Sequence, residues 1–147
     1  ANPHWKQLTP DAEVLVIFQG AHSYISPRWY VQPSVVPTWN YAAVHAYGKP
    51  RLIHDPATLK RMVTALVEYH EGPEGLPGFE AEFPENLLQA IVGLEIPIDR
   101  LEGKFKMSQN KSAADQEGVI ARLAESTDSV QREVARIMRG NLDGRSI

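Results

Sequence analysis

The sequence predicts an α+β fold in which a small antiparallel barrel carries helices on its outside. Segments with β character dominate the first half of the chain, and helical patterns lie in the middle and at the end. β character returns between these helices at residues 92–107, a mixture that favours α+β over alternating β-α units. The 147 residues fit one domain, predicted to span residues 1–147.

Glycine and proline bound the first predicted strands. One strand runs over residues 13–18 and ends at Gly20, and the next runs over residues 22–26 and ends at Pro27. A long strand then covers residues 36–46. It carries polar and aromatic side chains where an ordinary core strand would carry valines.

β character continues on both sides of the first helix. Residues 51–54 form a returning strand after a tight connection at residues 47–50. Residues 92–107 form further strands with a bend at Pro97 and a turn at Gly103. Four apolar residues of this segment are candidate core positions: Leu94, Ile96, Ile98 and Leu101.

The first helix has the strongest signals. Asp55 suits its N-cap, Pro56 its first position and Gly72 its C-terminal end. Residues 72–84 are predicted to be a surface loop, and residues 86–91 one or two helical turns. Apolar residues recur along the first helix at helical spacing: Leu59, Met62, Val63, Leu66 and Val67.

Two helices are predicted at the C-terminal end. Ser112 and Asp115 form a capping-box pattern, and Ser126 or Thr127 caps a last helix that ends at Gly140. The apolar faces of the two helices consist of Val119, Ile120 and Leu123, and of Val130, Val134, Ile137 and Met138.

Composition excludes several classes of protein. The net charge of −3 argues against strong non-specific binding of nucleic acid, although a local basic patch is compatible with it. Cysteine is absent, which excludes disulfides, thiol nucleophiles and thiolate metal sites and is consistent with a cytoplasmic protein. No apolar run approaches the roughly 20 residues of a membrane span.

The first candidate group of ligand-binding residues lies in the long strand. Alternation places Thr38 and Asn40 on one face and Trp39 and Tyr41 on the other. A hydroxyl and an amide two residues apart suit a phosphate or the edge of a ring, and the aromatic side chains can stack on a ligand. In the alternative interpretation, Thr38 and Asn40 face solvent and Trp39 fills the core.

The second group surrounds Pro27. A guanidinium suits phosphate, and an indole or phenol ring can cover a planar ligand, unless these aromatic side chains only anchor an exposed loop. The group consists of Ser26, Arg28, Trp29 and Tyr30.

The third group directly precedes a predicted helix N-terminus. Three cations and three neutral polar residues there make an anion site plausible, and the alternative is a solvated turn with a helix cap. The group consists of Lys104, Lys106, Ser108, Gln109, Asn110 and Lys111.

The sequence gives weaker signals for metal binding, acid–base catalysis and phosphate contact by the last helix. None of the five histidines has metal-ligand spacing, so no metal site is predicted, although His45 and His54 could approach each other across a hairpin. The carboxylates show no pairing, and catalytic residues stay unassigned. Three arginines form a stripe on the last helix, where a charge-balanced solvated face is favoured over phosphate contact: Arg132, Arg136 and Arg139 against Glu125, Asp128 and Glu133.

Four segments together resemble the signature segments of the PaiB family and occur in the same order. They are ANPHW at residues 1–5, YISPRWY at residues 24–30, VPTWNY at residues 36–41 and KMSQNK at residues 106–111. Two positions depart from the family pattern. Met107 stands where Leu is usual, and Lys111 stands where Arg is frequent and therefore lacks the bidentate fork.

The resemblance implies an FMN-binding split β-barrel that is usually a homodimer with flavin at the subunit interface. It also implies that an N-terminal part, with the first barrel strands, is missing from this chain. The residues expected to bind FMN are then Ser26, Arg28, Trp29, Thr38, Trp39, Asn40, Lys104, Ser108, Gln109, Asn110 and Lys111.

Three functions follow from the resemblance. The first is a PaiB-like negative regulator of transcription with an FMN site and a DNA or protein partner. The second is an FMN-dependent oxidoreductase, similar to flavin reductases or pyridoxamine phosphate oxidases. The third is a barrel that has lost flavin and serves as an interaction module.

Overall fold

The computed structural model describes residues 2–32, 36–72, 74, 76 and 85–144. The strands are β1 (Val14–Ile25), β2 (Thr38–Gly48), β3 (Arg51–Ile53), β4 (Gly93–Glu95) and β5 (Ile98–Lys106). The helices are α1 (Pro56–Glu71), the single turn α2 (Glu85–Leu88), α3 (Ala113–Ala124) and α4 (Ser129–Leu142). Short 3-10 turns cover Pro3–Gln7 and Pro27–Trp29. The predicted α+β class is confirmed.

The strands form two sheets. One has the order β1-β2-β5, and the other pairs β3 with β4 in antiparallel fashion, with Leu52 opposite Leu94. Within the described residues neither sheet closes into a barrel.

The chain packs as two compact units. The first comprises Ala1–Leu15 and Tyr47–Arg100, and the second comprises Val16–Ala46 and Leu101–Ile147. The single domain over residues 1–147 stays a prediction.

In the first unit, α1 begins and ends as its sequence predicts. The Asp55 carboxylate accepts hydrogen bonds from the backbone N–H and the hydroxyl of Thr58, at 2.8 and 2.7 Å. These two bonds lower the pKa of Asp55 below its ordinary value. Gly72 closes the helix with a φ of 92°, a conformation that favours glycine. The predicted loop at residues 72–84 lies mostly outside the described residues.

The second unit holds an apolar core between its sheet and the two C-terminal helices. Ser112 Oγ caps α3 by accepting from the backbone N–H of Asp115. The buried cluster consists of Ile25, Tyr30, Ala42, Met107, Val119, Ile120, Leu123, Val134, Ala135, Ile137 and Met138. Three of the four apolar residues predicted for the last helix are therefore core residues, and Val130 is exposed.

Both predicted ends of the last helix are wrong. Asp128 caps α4, and the Ser126 hydroxyl instead accepts from the backbone N–H of Asp128. The helix continues past Gly140 to Leu142 because Leu142 packs against the apolar core.

Two strand boundaries predicted at glycines are also wrong. β1 is one continuous strand through Gly20, where an added Cβ would lie 3.3 Å from the Ala42 Cβ. Glycine there permits close approach of two strands rather than a turn. Gly103 lies inside β5, and β2 extends to Gly48.

Three of the four predicted core positions on the late strands are wrong as well, whereas Ile96 is half-buried. Leu94, Ile98 and Leu101 are 42, 57 and 60% exposed. β5 is an edge strand of its sheet, and nearly all of its residues are exposed. The apolar residues in this part of the sequence therefore lie on strand faces that the described part of this chain leaves exposed.

Candidate functional site

A cavity of about 180 Å³ lies in the second unit. Its described lining contains two lysines, four neutral polar residues, one tyrosine and one valine, and no carboxylate or imidazole. The lining residues are Tyr30, Val36, Thr38, Asn40, Lys106, Ser108, Asn110 and Lys111. Two cations among neutral hydrogen-bonding groups make this cavity suited to an anion.

β2 delivers Thr38 and Asn40 to the cavity by strand alternation. Asn40 is fully buried, its Oδ1 accepts from Ser108 Oγ at 3.1 Å, and its Nδ2 lies 3.2 Å from Met138 Sδ. Trp39, on the opposite face, is 53% exposed. The alternative in which Asn40 faces solvent and Trp39 fills the core is therefore wrong.

Lys106, at the end of β5, brings a cation against β2. Its ammonium donates to the Trp39 carbonyl oxygen at 2.6 Å and to the Thr38 hydroxyl. These bonds hold the ammonium beside the cavity and leave its third proton available, since an ammonium has three donors.

The turn after β5 presents the remaining polar residues. Ser108 adopts a φ of 60°, which is uncommon for a residue with a side chain, and its carbonyl accepts from the Lys111 N–H at 2.9 Å. The Gln109 side chain stays within the turn, because it accepts from Met107 N at 2.7 Å and donates to the Phe105 carbonyl at 2.9 Å. The Gln109 amide is therefore bonded within the turn that carries Ser108, Asn110 and Lys111.

Tyr30 also lines the cavity. It is 8% exposed, and the Lys111 ammonium lies 5.3 Å from the centre of its ring, a cation–π distance. Its hydroxyl is buried and finds no hydrogen-bond partner among the described residues.

Asp115 ties the segment after Tyr30 to α3. Its Oδ1 accepts from the backbone N–H groups of Val31 and Gln32 at 2.8 and 3.3 Å, and its Oδ2 accepts from Ser112 Oγ at 2.9 Å. Burial raises the pKa of Asp115. Its hydrogen bonds and the nearby Lys111 charge outweigh burial, so the pKa lies below its ordinary value.

The structure brings only some of the sequence-predicted residues together. Thr38, Asn40, Ser108, Asn110 and Lys111 line the cavity. The other predicted residues are not among its described lining: Ser26, Arg28, Trp29, Trp39, Lys104 and Gln109.

Contacts elsewhere account for several of these residues. Ser26 Oγ caps the 3-10 turn by accepting from Arg28 N at 3.3 Å, and Trp29 packs against the apolar core. Lys104 is exposed on β5. Val36, which sequence reasoning did not single out, lines the cavity and carries no polar signal that could have identified it.

The arginine stripe on α4 is engaged within the chain, but the structure pairs only Glu133 of the three predicted carboxylates with it in the described ranges. Arg136 forms a bidentate pair with Glu133 at 2.8 and 2.7 Å, and Arg139 pairs with Glu117. Arg132 donates to the Ser126 carbonyl at 2.8 Å. The guanidinium groups lower the pKa values of Glu133 and Glu117.

The described ranges contain neither a membrane-spanning helix nor a cluster of metal ligands. No helix there combines the length and the apolar character that crossing a membrane requires. In the same ranges, no three His, Cys, Asp or Glu side chains are grouped so that they could hold a metal ion.

Comparison with known proteins finds a matching family and several relatives. The family described as "Putative FMN-binding domain" matches residues 1–100. The "Protease synthase and sporulation protein PAI 2" of Bacillus subtilis is 33% identical over 96% of this chain and 69% of its own length. Uncharacterized proteins of Emericella nidulans and Aspergillus fumigatus are 36 and 42% identical over 86 and 76% of this chain.

The chain spans 58 and 51% of the length of the two fungal relatives. The family match ends before Lys106, Ser108, Asn110 and Lys111, whereas Tyr30, Thr38 and Asn40 lie inside it. The cavity is therefore built from both sides of residue 100.

Proposed function

This chain belongs to the PaiB family, and from that premise we propose that it is a cytoplasmic FMN-binding protein that negatively regulates transcription. The name of the Bacillus relative, which refers to protease synthesis and sporulation, supports the regulatory part. The description of the matching family supports the ligand. The geometry that carries the proposal is the cavity lined by Lys106 and Lys111.

The cavity suits the phosphate end of FMN. A phosphate monoester carries close to two negative charges and three strong acceptor oxygens. Lys106 and Lys111 supply the opposite charge, and the Thr38 hydroxyl and the Asn110 amide, which also line the cavity, supply neutral donors. At about 180 Å³ the cavity is smaller than the roughly 300–1,000 Å³ of pockets that enclose a whole drug-sized ligand. We therefore assign it to the phosphate, with the flavin ring outside it.

The test is an equilibrium titration followed by flavin fluorescence, with FMN and riboflavin in parallel. These two ligands differ by the phosphate alone. Saturable binding of FMN, with riboflavin at least about tenfold weaker, supports the assignment because charge-assisted hydrogen bonds contribute about 1.5–3 kcal/mol. Equal affinities contradict the phosphate site, and no binding of either contradicts the flavin ligand.

We also propose that the chain completes a split barrel as a homodimer. Apolar side chains of β1, β2 and β5 are exposed in the described chain, and exposed apolar patches mark interaction surfaces. They include Phe18, Trp39, Leu101 and Phe105. Light scattering of the purified chain is expected to give twice the mass of one chain. A mass of one chain at micromolar concentration contradicts this proposal.

We propose that regulation acts through a protein partner rather than through direct contact with DNA. Affinity for DNA depends on cations that neutralise phosphates. Arg132, Arg136 and Arg139 already have partners within this chain, and the net charge is −3. We expect no footprint from the purified chain on promoters that it controls, with or without FMN. Protection of any such promoter contradicts indirect regulation.

A further inference from the structure

Buried polar side chains are concentrated around the cavity of the second unit. Among the described residues, five polar or charged residues are buried: Ser23, Asn40, Ser108, Asp115 and Gln116. Asn40 and Ser108 line the cavity and bond to each other, whereas Asp115 and Gln116 bond to the segments that carry other lining residues. Burying a polar side chain is unfavourable unless it is bonded, and a fully bonded set mainly fixes one arrangement. Their concentration here indicates that they fix the arrangement of the cavity lining.

The first turn of α3 supplies two of these side chains. Asp115 is 2% exposed, and its carboxylate accepts from the Val31 N–H at 2.8 Å and from the Ser112 hydroxyl at 2.9 Å. Gln116 is 7% exposed, and its Nε2 donates to the Lys111 carbonyl at 3.0 Å. One helical turn therefore bonds to two separate segments of the chain, each of which contributes a residue to the cavity lining.

Lys111 gains most from this support, because a lysine ammonium sits on a flexible four-carbon stem. The Lys111 carbonyl accepts from Gln116, and its N–H donates to the Ser108 carbonyl at 2.9 Å. Its ammonium lies 5.3 Å from the centre of the Tyr30 ring, and Asp115 bonds to the residue that follows this ring. Both the backbone of Lys111 and the segment beside its ammonium are therefore held before a ligand binds, which reduces the ordering cost of binding.

We propose that Asp115 and Gln116 are positioning residues that hold Lys111 in place for a phosphate monoester in the cavity. The proposal deepens the proposed function and rests on it for the identity of the ligand. Neither side chain is among the described residues lining the cavity, so both act through Lys111 rather than by touching the ligand. A carboxylate does not attract an anion, so the contribution of Asp115 to phosphate affinity is positional.

The first test is Asp115→Ala, which removes the bonds to Val31, Gln32 and Ser112. We expect affinity for FMN and for inorganic phosphate to fall about tenfold, the lower end of what loss of one charge-assisted contact costs. Affinity for riboflavin is expected to stay unchanged. Asp115→Asn is expected to bind FMN within about twofold of the unmodified chain, because an amide oxygen accepts from the same backbone groups. If Asp115→Asn binds as weakly as Asp115→Ala, the proposal is wrong.

A double-mutant cycle separates positioning from general destabilisation. Once Lys111 is replaced by alanine, adding Asp115→Ala or Gln116→Ala is expected to cause little further loss of FMN affinity, because the group that they position is gone. Asp55→Ala is the matched control, since it removes the carboxylate that caps α1 in the first unit. It is expected to lower the melting temperature without weakening FMN binding. An equal loss of FMN affinity in Asp55→Ala contradicts the positioning role.

A measurement without ligand distinguishes this proposal from the flavin proposal. The free protein is acetylated with acetic anhydride, and peptide mass spectrometry gives the rate at each lysine. Lys111 is half-buried and Lys104 is exposed, so Asp115→Ala is expected to raise the rate at Lys111 and leave the rate at Lys104 unchanged. An unchanged Lys111 rate, or additive losses in the cycle, overturns the positioning role even where FMN binds.

The remaining outcomes concern the ligand. If inorganic phosphate binds in an Asp115-dependent way and FMN does not bind, the positioning role stands and the flavin is wrong. Failure of the unmodified chain to bind either probe overturns both proposals.

Discussion

Replacing Lys111 by alanine is expected to weaken FMN binding by about tenfold to a hundredfold, which corresponds to the loss of one charge-assisted contact. Lys111 lines the cavity beside Tyr30 and carries one of its two positive charges. The change leaves the backbone bond from Lys111 to Ser108 in place, so the turn keeps its shape. The measurement is a fluorescence titration with FMN, repeated with riboflavin.

Lys104→Ala is the matched control for this experiment. Lys104 is two residues from Lys106 on the same strand, and its removal changes the net charge by the same amount as Lys111→Ala. It is exposed and is not among the described residues lining the cavity, so its loss is expected to change FMN affinity less than about twofold. A general electrostatic attraction would respond equally to both variants.

Riboflavin gives the second control. The phosphate assignment requires that Lys111→Ala lose affinity for FMN and keep its affinity for riboflavin. If both ligands weaken together, Lys111 contacts the flavin or supports the fold. If Lys104→Ala is the more damaging variant, the site lies on the exposed side of β5 and the cavity is not the phosphate site.

The sequence predicts the helices of this chain better than its strands, because the signals that start a helix come from residues close together in the sequence. Asp55 and Ser112 identify helix starts because capping is decided within four residues. The strand end predicted at Gly20 and the turn predicted at Gly103 are wrong because a glycine inside a strand gives the same sequence signal as a glycine in a turn. Burial of Leu101 depends on what covers β5, which no local pattern encodes.

The sequence predicts the types of residue in the candidate site better than it predicts which individual residues line the cavity. Strand alternation predicts Thr38 and Asn40 on one face, and both line the cavity together with Ser108 and Lys111 from the segment after β5. That these residues bind FMN stays a prediction. Gln109 has the same type of side chain as a ligand-binding residue, yet the fold uses both ends of its amide within the turn.

The second large effect concerns Gly118, inside α3. Alanine in place of glycine ordinarily stabilises a helix by about 1 kcal/mol. Here an added Cβ would lie 2.2 Å from the Trp29 carbonyl oxygen, a separation that requires the backbone to move. Overpacking of this kind costs about 1–3 kcal/mol, so the sign of the substitution is expected to reverse.

We therefore expect Gly118→Ala to lower the melting temperature by roughly 5 °C, given about 2–4 °C per kcal/mol for a chain of this size. The matched control is Gly103→Ala, where an added Cβ meets no atom within 4 Å and stability is expected to stay within about 0.5 kcal/mol. Because Trp29 directly precedes Tyr30, which lines the cavity, displacement of the Trp29 carbonyl is also expected to weaken FMN binding. A Gly118→Ala variant that melts at or above the temperature of the unmodified chain would show that α3 does not press against the 3-10 turn. The close contact between Gly118 and the Trp29 carbonyl would then not be what holds Tyr30 at the cavity.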